Sequence, residues 1–142
     1  MKSIVQVLAT MTVAMIVVAL VVFAAGDRQT LVPPPDAIGE GVLRQLTTRR
    51  YDRVDSYLSH ARQDWSAAAL RRQFEPLWRY TGTVNQVDAE LVWIQEDHAR
   101  VIATAHGDVA DARVLFELIR EHGLWKVDGF STNPLFPPEP LR

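Results

Sequence analysis

Histidine is the side chain in this sequence that is best suited to metal binding and to proton transfer near neutral pH. Four are present, at His60, His98, His106 and His122. No two of them have the spacing of a helical metal site such as HExxH, so the sequence predicts no metal site. His98 follows Asp97 in a predicted turn. His106 ends a predicted strand, which makes it a candidate for the mouth of a ligand pocket.

Aromatic side chains provide the remaining material for a pocket. Together with His106, the candidates for ligand binding are Trp78, Trp93, Phe116 and Trp125. Packing in a core is the alternative for every aromatic residue, and it is their commoner role. The sequence contains no Ser-His-Asp arrangement, no G-x-S-x-G elbow and no glycine-rich phosphate loop. It therefore predicts no catalytic residue and no cofactor.

Composition narrows the class of protein further. The 142 residues include no cysteine, which excludes disulfides, thiolate metal sites, cysteine nucleophiles and a lipid attached to cysteine. The formal net charge of −2 gives no general attraction to nucleic acid. Hydrophobic residues make up 48% of the chain, but they are concentrated near its N-terminus. The remainder has the composition of a soluble domain.

An apolar, uncharged run covers residues 4–25, interrupted only by Gln6, Thr10 and Thr12. As a helix this run would be about 33 Å long, sufficient to cross a bilayer. We therefore predict that residues 1–25 form a signal anchor, a single transmembrane helix in the cell membrane. Lys2 favours a cytoplasmic N-terminus and an extracytoplasmic domain. A cleaved signal peptide is the alternative.

The sequence after the apolar run predicts a linker and then three helices. Residues 26–35 end in three prolines, which favour an extended and fairly stiff linker. The helices have the predicted N-caps Asp36, Asp52 and Ser66. Pro76 should end or kink the third helix, because proline lacks the backbone N–H that helix continuation requires.

Apolar residues recur with a period of two after Gly82, which predicts about four antiparallel strands and an α+β fold. The first strand carries a suspected bulge, and Gly123 lies in a hairpin turn. Residues 132–142 contain four prolines and should form an irregular tail. The predicted core face of the later strands contains Val114, Phe116, Leu118, Trp125 and Val127.

Three apolar residues, Ile102, Leu115 and Ile119, fall on the opposite face of these strands. An apolar second face on an antiparallel sheet requires cover. We therefore predict that this face binds a protein partner or a second copy of the chain.

Four segments follow a recognisable order: Arg50-Tyr51-Asp52-Arg53-Val54, Gly82-Thr83-Val84, Ala99-Arg100-Val101 and the stretch from Phe116 to Phe130. The last of them is the most specific, with a strand, a charged turn with glycine, and then Trp-Lys-Val. Together they resemble the NTF2-like (cystatin-fold cone) superfamily, in its small membrane-anchored bacterial branch, over about residues 36–131. The resemblance implies three helices packed on a curved antiparallel sheet around a conical cavity.

The resemblance implies a non-catalytic accessory or scaffold subunit of an envelope complex. Similar anchored proteins accompany lipid-importing (Mce-type) systems and cell-wall or secretion machinery. One alternative is a binder of a small apolar ligand or lipid in the cone. Another is an isomerase or dehydratase, which would need an Asp or His base facing a Tyr or acid donor inside the cone. No such pair maps onto this sequence residue by residue.

Overall fold

A computed structural model describes residues 32–134 of the chain. These residues form two α-helices, three single 3-10 turns and one four-stranded sheet. The predicted transmembrane helix 1–25, the linker up to residue 31 and the tail from residue 135 lie outside the described residues. No helix within 32–134 is long and apolar enough to cross a membrane. The α+β class is confirmed. The elements are α1 (Pro35–Thr47), α2 (Ala67–Thr81), β1 (Val84–Gln95), β2 (His98–Gly107), β3 (Asp111–Glu121) and β4 (Leu124–Asn133).

Helix α1 begins with Pro35 rather than after a cap at Asp36. Pro34 occupies the N-cap position and makes no side-chain hydrogen bond to the helix. Proline suits the first helical turn because its missing N–H would have no partner there, and Asp36 lies in that turn, where its charge complements the helix dipole. The prediction that Asp36 caps α1 was therefore wrong. Helix α1 thus begins one residue before position 36, where the predicted domain starts.

The second predicted helix is replaced by three 3-10 turns, Tyr51–Arg53, Asp55–Tyr57 and His60–Arg62. Asp52 lies inside the first turn, so its predicted role as an N-cap was wrong. The chain cannot continue as an α-helix because Leu58 is extended and bridges Val127 at the edge of β4. Pairing with the sheet therefore outweighs the local helical pattern.

Helix α2 has the predicted N-cap, since the Ser66 side chain accepts a hydrogen bond from the Ala69 N–H at 3.1 Å. Pro76 was predicted to end or kink this helix, and it does not end it, because the helix continues through Pro76 to Thr81. An interior proline costs about 3 kcal/mol, but Leu77 and Trp78 beyond it are buried in the core. Their burial keeps the last turns helical.

The four strands form an antiparallel meander in the order β1-β2-β3-β4. The predicted bulge in β1 is confirmed, with register shifts at Val84/Gln86 and Leu91/Trp93. Strand β4 reaches Asn133, two residues into the predicted tail. Alternate residues of the last three strands are buried on one face, termed the inner face: Ala99, Val101, Ala103, Ala105, Ala112, Val114, Phe116, Leu118, Trp125 and Val127.

Helix α1 lies directly on the inner face at Gly39. A Cβ atom at this position would lie 2.6 Å from Cγ1 of Val101 and 3.7 Å from Cδ2 of Phe116. Ordinary carbon–carbon contacts are about 3.5–4.0 Å. Only glycine therefore allows so close an approach, and helix and sheet leave no space between them at this point.

The two edges of the sheet differ. The β4 edge is covered by the segment between the helices, where the Ser59 N–H donates to the Val127 carbonyl at 2.8 Å. Arg62 Nε donates to the carbonyl of Asp128 at 2.7 Å, and the Ser59 hydroxyl bonds the Asp128 carboxylate. Within residues 32–134, no strand pairs with the free edge of β1.

Candidate interaction surface on the sheet

The face of the sheet opposite the helices, termed the outer face, carries all three predicted interface residues. Ile102 on β2 lies directly opposite Leu115 on β3. Ile119 lies opposite His98, where β2 begins. All three side chains are half-buried. Cross-strand neighbours on one face contact each other, so the structure brings Ile102 and Leu115 together at the centre of this face.

An exposed ion pair separates Ile119 from the other two. Arg100 lies opposite Glu117, with Nε 3.6 Å from Oε1. The Arg100 guanidinium also lies 5.5 Å from the ring centre of Trp93 on β1. Such solvent-exposed pairs add little to stability. Their effect is to give the outer face an apolar centre with charged groups beside it, as in many protein interfaces.

Three of the five predicted ligand-binding residues belong to the core on the helix side of the sheet. Trp78 is 2% exposed and stacks on Phe74 with 5.9 Å between ring centres. Phe116 is 1% exposed, and Trp125 is 4% exposed with the Arg120 guanidinium 4.6 Å from its ring centre. Their aromatic surfaces therefore pack against protein atoms.

The other two candidates lie elsewhere. Trp93 is 41% exposed near the end of β1. His106 points to the outer face from the opposite end of β2, and it lies beside Asp88 and Asp111. The five residues therefore do not converge on one pocket.

His106 bridges three strands. Its Nε2 atom lies 2.7 Å from Oδ2 of Asp88 on β1, and its Nδ1 atom lies 3.2 Å from Oδ2 of Asp111 on β3. The hydrogen bond to Asp88 is the largest cause of a pKa of His106 above its ordinary value of 6.5, and the hydrogen bond to Asp111 raises this pKa further. The protonated ring can donate to both carboxylates, whereas the neutral ring has only one N–H.

The His106 cluster is poorly arranged for a metal ion, because its two carboxylates contact opposite nitrogens of one ring. A single ion at either nitrogen would meet only one of them. Among residues 32–134, no group of three or more His, Asp or Glu side chains has the arrangement to hold a metal ion.

A second polar cluster, which the residue pattern did not predict, joins the segment after α1 to α2. The Tyr51 hydroxyl donates to Oε1 of Glu75 at 3.1 Å, and Arg49 Nε contacts the same oxygen at 3.1 Å. Burial, followed by the Glu75 carboxylate, raises the pKa of Tyr51 to about 12. Tyr51 is only 2% exposed, so this tyrosine–carboxylate pair joins the first 3-10 turn to α2 and does not face open space.

The chain matches no protein-family model and has no significant similarity to a curated protein.

Proposed function

We propose that this chain is a membrane-anchored extracytoplasmic NTF2-like protein that acts without catalysis, as an accessory or scaffold subunit of an envelope complex. Residues 1–25 anchor it, and the domain binds a protein partner or a second copy through the outer face of the sheet. Lipid-importing systems of the Mce type are one class of complex that such a subunit serves.

The contrast between the two faces of the sheet carries the proposal. The inner face is filled by side chains in contact with α1 and α2, and Gly39 brings α1 directly onto Val101. A binder of small molecules needs a concave cavity with convergent polar groups. An enzyme of the isomerase type needs an acid–base pair facing that cavity. The tight contact between α1 and the sheet favours a structural role over both.

The outer face has the character of a binding surface. Ile102 and Leu115 form an apolar centre, and Arg100 and Glu117 lie exposed beside it. A partner that covers a large apolar side chain removes its surface from water, and this burial favours binding. Specific interfaces combine such an apolar centre with a polar rim.

Affinity purification from detergent-solubilised membranes tests this proposal. The chain should retain a protein partner, or a second copy of itself, and Leu115→Asp should remove that partner. Val109→Asp is the matched control, because Val109 lies in the β2–β3 turn and is 75% exposed. A chain that purifies alone, with wild-type and Leu115→Asp behaving identically, contradicts the proposal. Lipid that copurifies stoichiometrically would support the cavity-binding alternative.

A further inference from the structure

The end of β1 exposes four consecutive apolar residues, termed the apolar strand end: Leu91, Val92, Trp93 and Ile94. Their exposed fractions are 38%, 54%, 41% and 48%. Scattered exposed hydrophobic residues are normal on a soluble domain, but a contiguous group that includes tryptophan indicates a contact surface.

Both faces of β1 contribute to the apolar strand end. Trp93 pairs with Arg100 and lies on the outer face, whereas Leu91 pairs with the buried Val101 and lies on the inner face. A bulge between Leu91 and Trp93 interrupts the ladder at this point. The free edge of β1 runs along the same residues. The apolar strand end is therefore a corner of the sheet that combines parts of both faces with the free edge.

A second copy of β1 is a poor partner for this corner. An antiparallel register centred on Trp93 would bring Glu90 opposite Glu96, and one centred on Val92 would bring Asp88 opposite Glu96. Like charges directly opposite each other destabilise a strand pair. The two registers that would cover the apolar strand end most fully are therefore disfavoured.

The corner lies close to the point where the domain begins. Gly39 is four residues after Pro35, about 6 Å along a helix, and its Cβ position contacts Val101. Val101 is the strand partner of Leu91, and such partners lie about 5 Å apart. The contact between Gly39 and Val101 separates their Cα atoms by about 7 Å, so Pro35 lies within about 18 Å of Leu91.

The linker is long enough to bridge a comparable distance. Residues 26–34 can extend about 28 Å at about 3.1 Å per residue. A chain anchored by residues 1–25 thus keeps the apolar strand end within reach of the bilayer, and tethering makes even a weak surface affinity effective.

We propose that the apolar strand end docks on the lipid surface and gives the domain a second membrane contact besides its anchor. This inference rests on the proposed function, because the anchor supplies the proximity. Tryptophan prefers the membrane–water interface, and its aliphatic neighbours add apolar surface that can be buried at the boundary between head groups and acyl chains.

The docking is shallow, at the level of the lipid head groups. The free edge of β1 carries backbone N–H and C=O groups that would lack partners in hydrocarbon. The adjoining turn contains Glu96 and Asp97, which are exposed and stay in water. Only the side chains of the apolar strand end enter the interface.

Tryptophan fluorescence of the full chain in phosphatidylcholine vesicles tests the docking directly. The four tryptophans all lie outside residues 1–25, so the anchor adds no emission. Subtracting the spectrum of Trp93→Phe isolates the Trp93 signal. Lipids brominated near the head groups should quench this signal at least about twofold, and lipids brominated near the bilayer centre should quench it less.

Two variants complete the test. Val92→Asp should abolish the quenching of Trp93, and the matched control Val109→Asp should leave it unchanged. Unchanged Trp93 emission in a chain that floats with the vesicles overturns the docking and leaves the anchor intact. Equal quenching from both bromine depths, or quenching that survives Val92→Asp, also overturns it. A chain that fails to float with vesicles at all contradicts the proposed function itself.

Discussion

Gly39→Ala tests the close contact between α1 and Val101 on the inner face of the sheet. The added methyl group would approach Val101 Cγ1 to 2.6 Å, about 1 Å closer than an ordinary contact. Val101 is fully buried and β-branched, so it has little freedom to move aside. Overpacking of this kind costs about 1–3 kcal/mol, while replacing glycine with alanine in a helix gains about 1 kcal/mol. We expect a net loss of about 1 kcal/mol in the free energy of unfolding.

Gly41→Ala is the matched control in the same helix. Its methyl group would meet the Tyr57 hydroxyl at 3.0 Å, and Tyr57 is half-buried and able to shift. The gain in helix propensity should therefore prevail, by up to about 1 kcal/mol. The two variants should differ by about 2 kcal/mol and by several degrees in Tm, given about 4 °C for each kcal/mol.

Urea and thermal unfolding of the full chain in detergent micelles measure these differences. Combining Gly39→Ala with Val101→Ala should relieve the overlap, so that the double mutant is about 1–2 kcal/mol more stable than the sum of the single effects predicts. Equal stability of Gly39→Ala and Gly41→Ala, with no coupling to Val101, would refute the close contact. That result would also favour the alternative in which the interior binds a small ligand.

Two further predictions concern the polar clusters. The raised pKa of His106 implies a contribution to stability that is fully present below the ordinary pKa of 6.5 and is lost as pH rises through the higher pKa of the folded state. Thermal unfolding across this pH range should show the loss. His106→Gln should make the stability less dependent on pH in the same range. Tyr51→Phe should lower the free energy of unfolding by about 1 kcal/mol in urea titrations, because Arg49 still pairs with Glu75. A pH profile unchanged by His106→Gln, or a Tyr51→Phe variant as stable as wild type, would contradict these assignments.

The sheet could be predicted from the sequence because its signals are local. A period of two identifies both faces of β2 and β3, and glycine marks the turn at Gly123, where φ is 78°. Once the turns fix the register, Ile102 and Leu115 must share the outer face. The Ser66 cap was likewise predictable, since its acceptor and donor are three residues apart.

The helical half was less predictable because contacts distant in sequence decide it. Leu58 leaves the helical pattern in order to pair with Val127, 69 residues later. Tyr51 and Glu75 meet only after the 3-10 turn that follows α1 has packed against α2. Burial of Trp78 carries α2 past a proline that would end an isolated helix.

The surroundings of His106 and of the apolar strand end could not be predicted from the sequence either. His106 was recognised as a strand-end residue, but its carboxylate partners depend on the register of both neighbouring strands. The apolar strand end lies within the first of the strands predicted after Gly82, yet its exposure depends on how much of the sheet the helices cover. Neither property can be read from the spacing of residues along one strand.

Photo-crosslinking in native membranes tests most directly whether the outer face of the sheet is the working surface. The chain has no cysteine, so Leu115→Cys provides a single attachment site for a thiol-reactive photo-crosslinker, and Val109→Cys is the matched control. We predict a discrete adduct, with a partner protein or a second copy, from position 115 and none from position 109. No adduct from position 115, or the same adducts from both positions, would contradict a partner-binding role for this face.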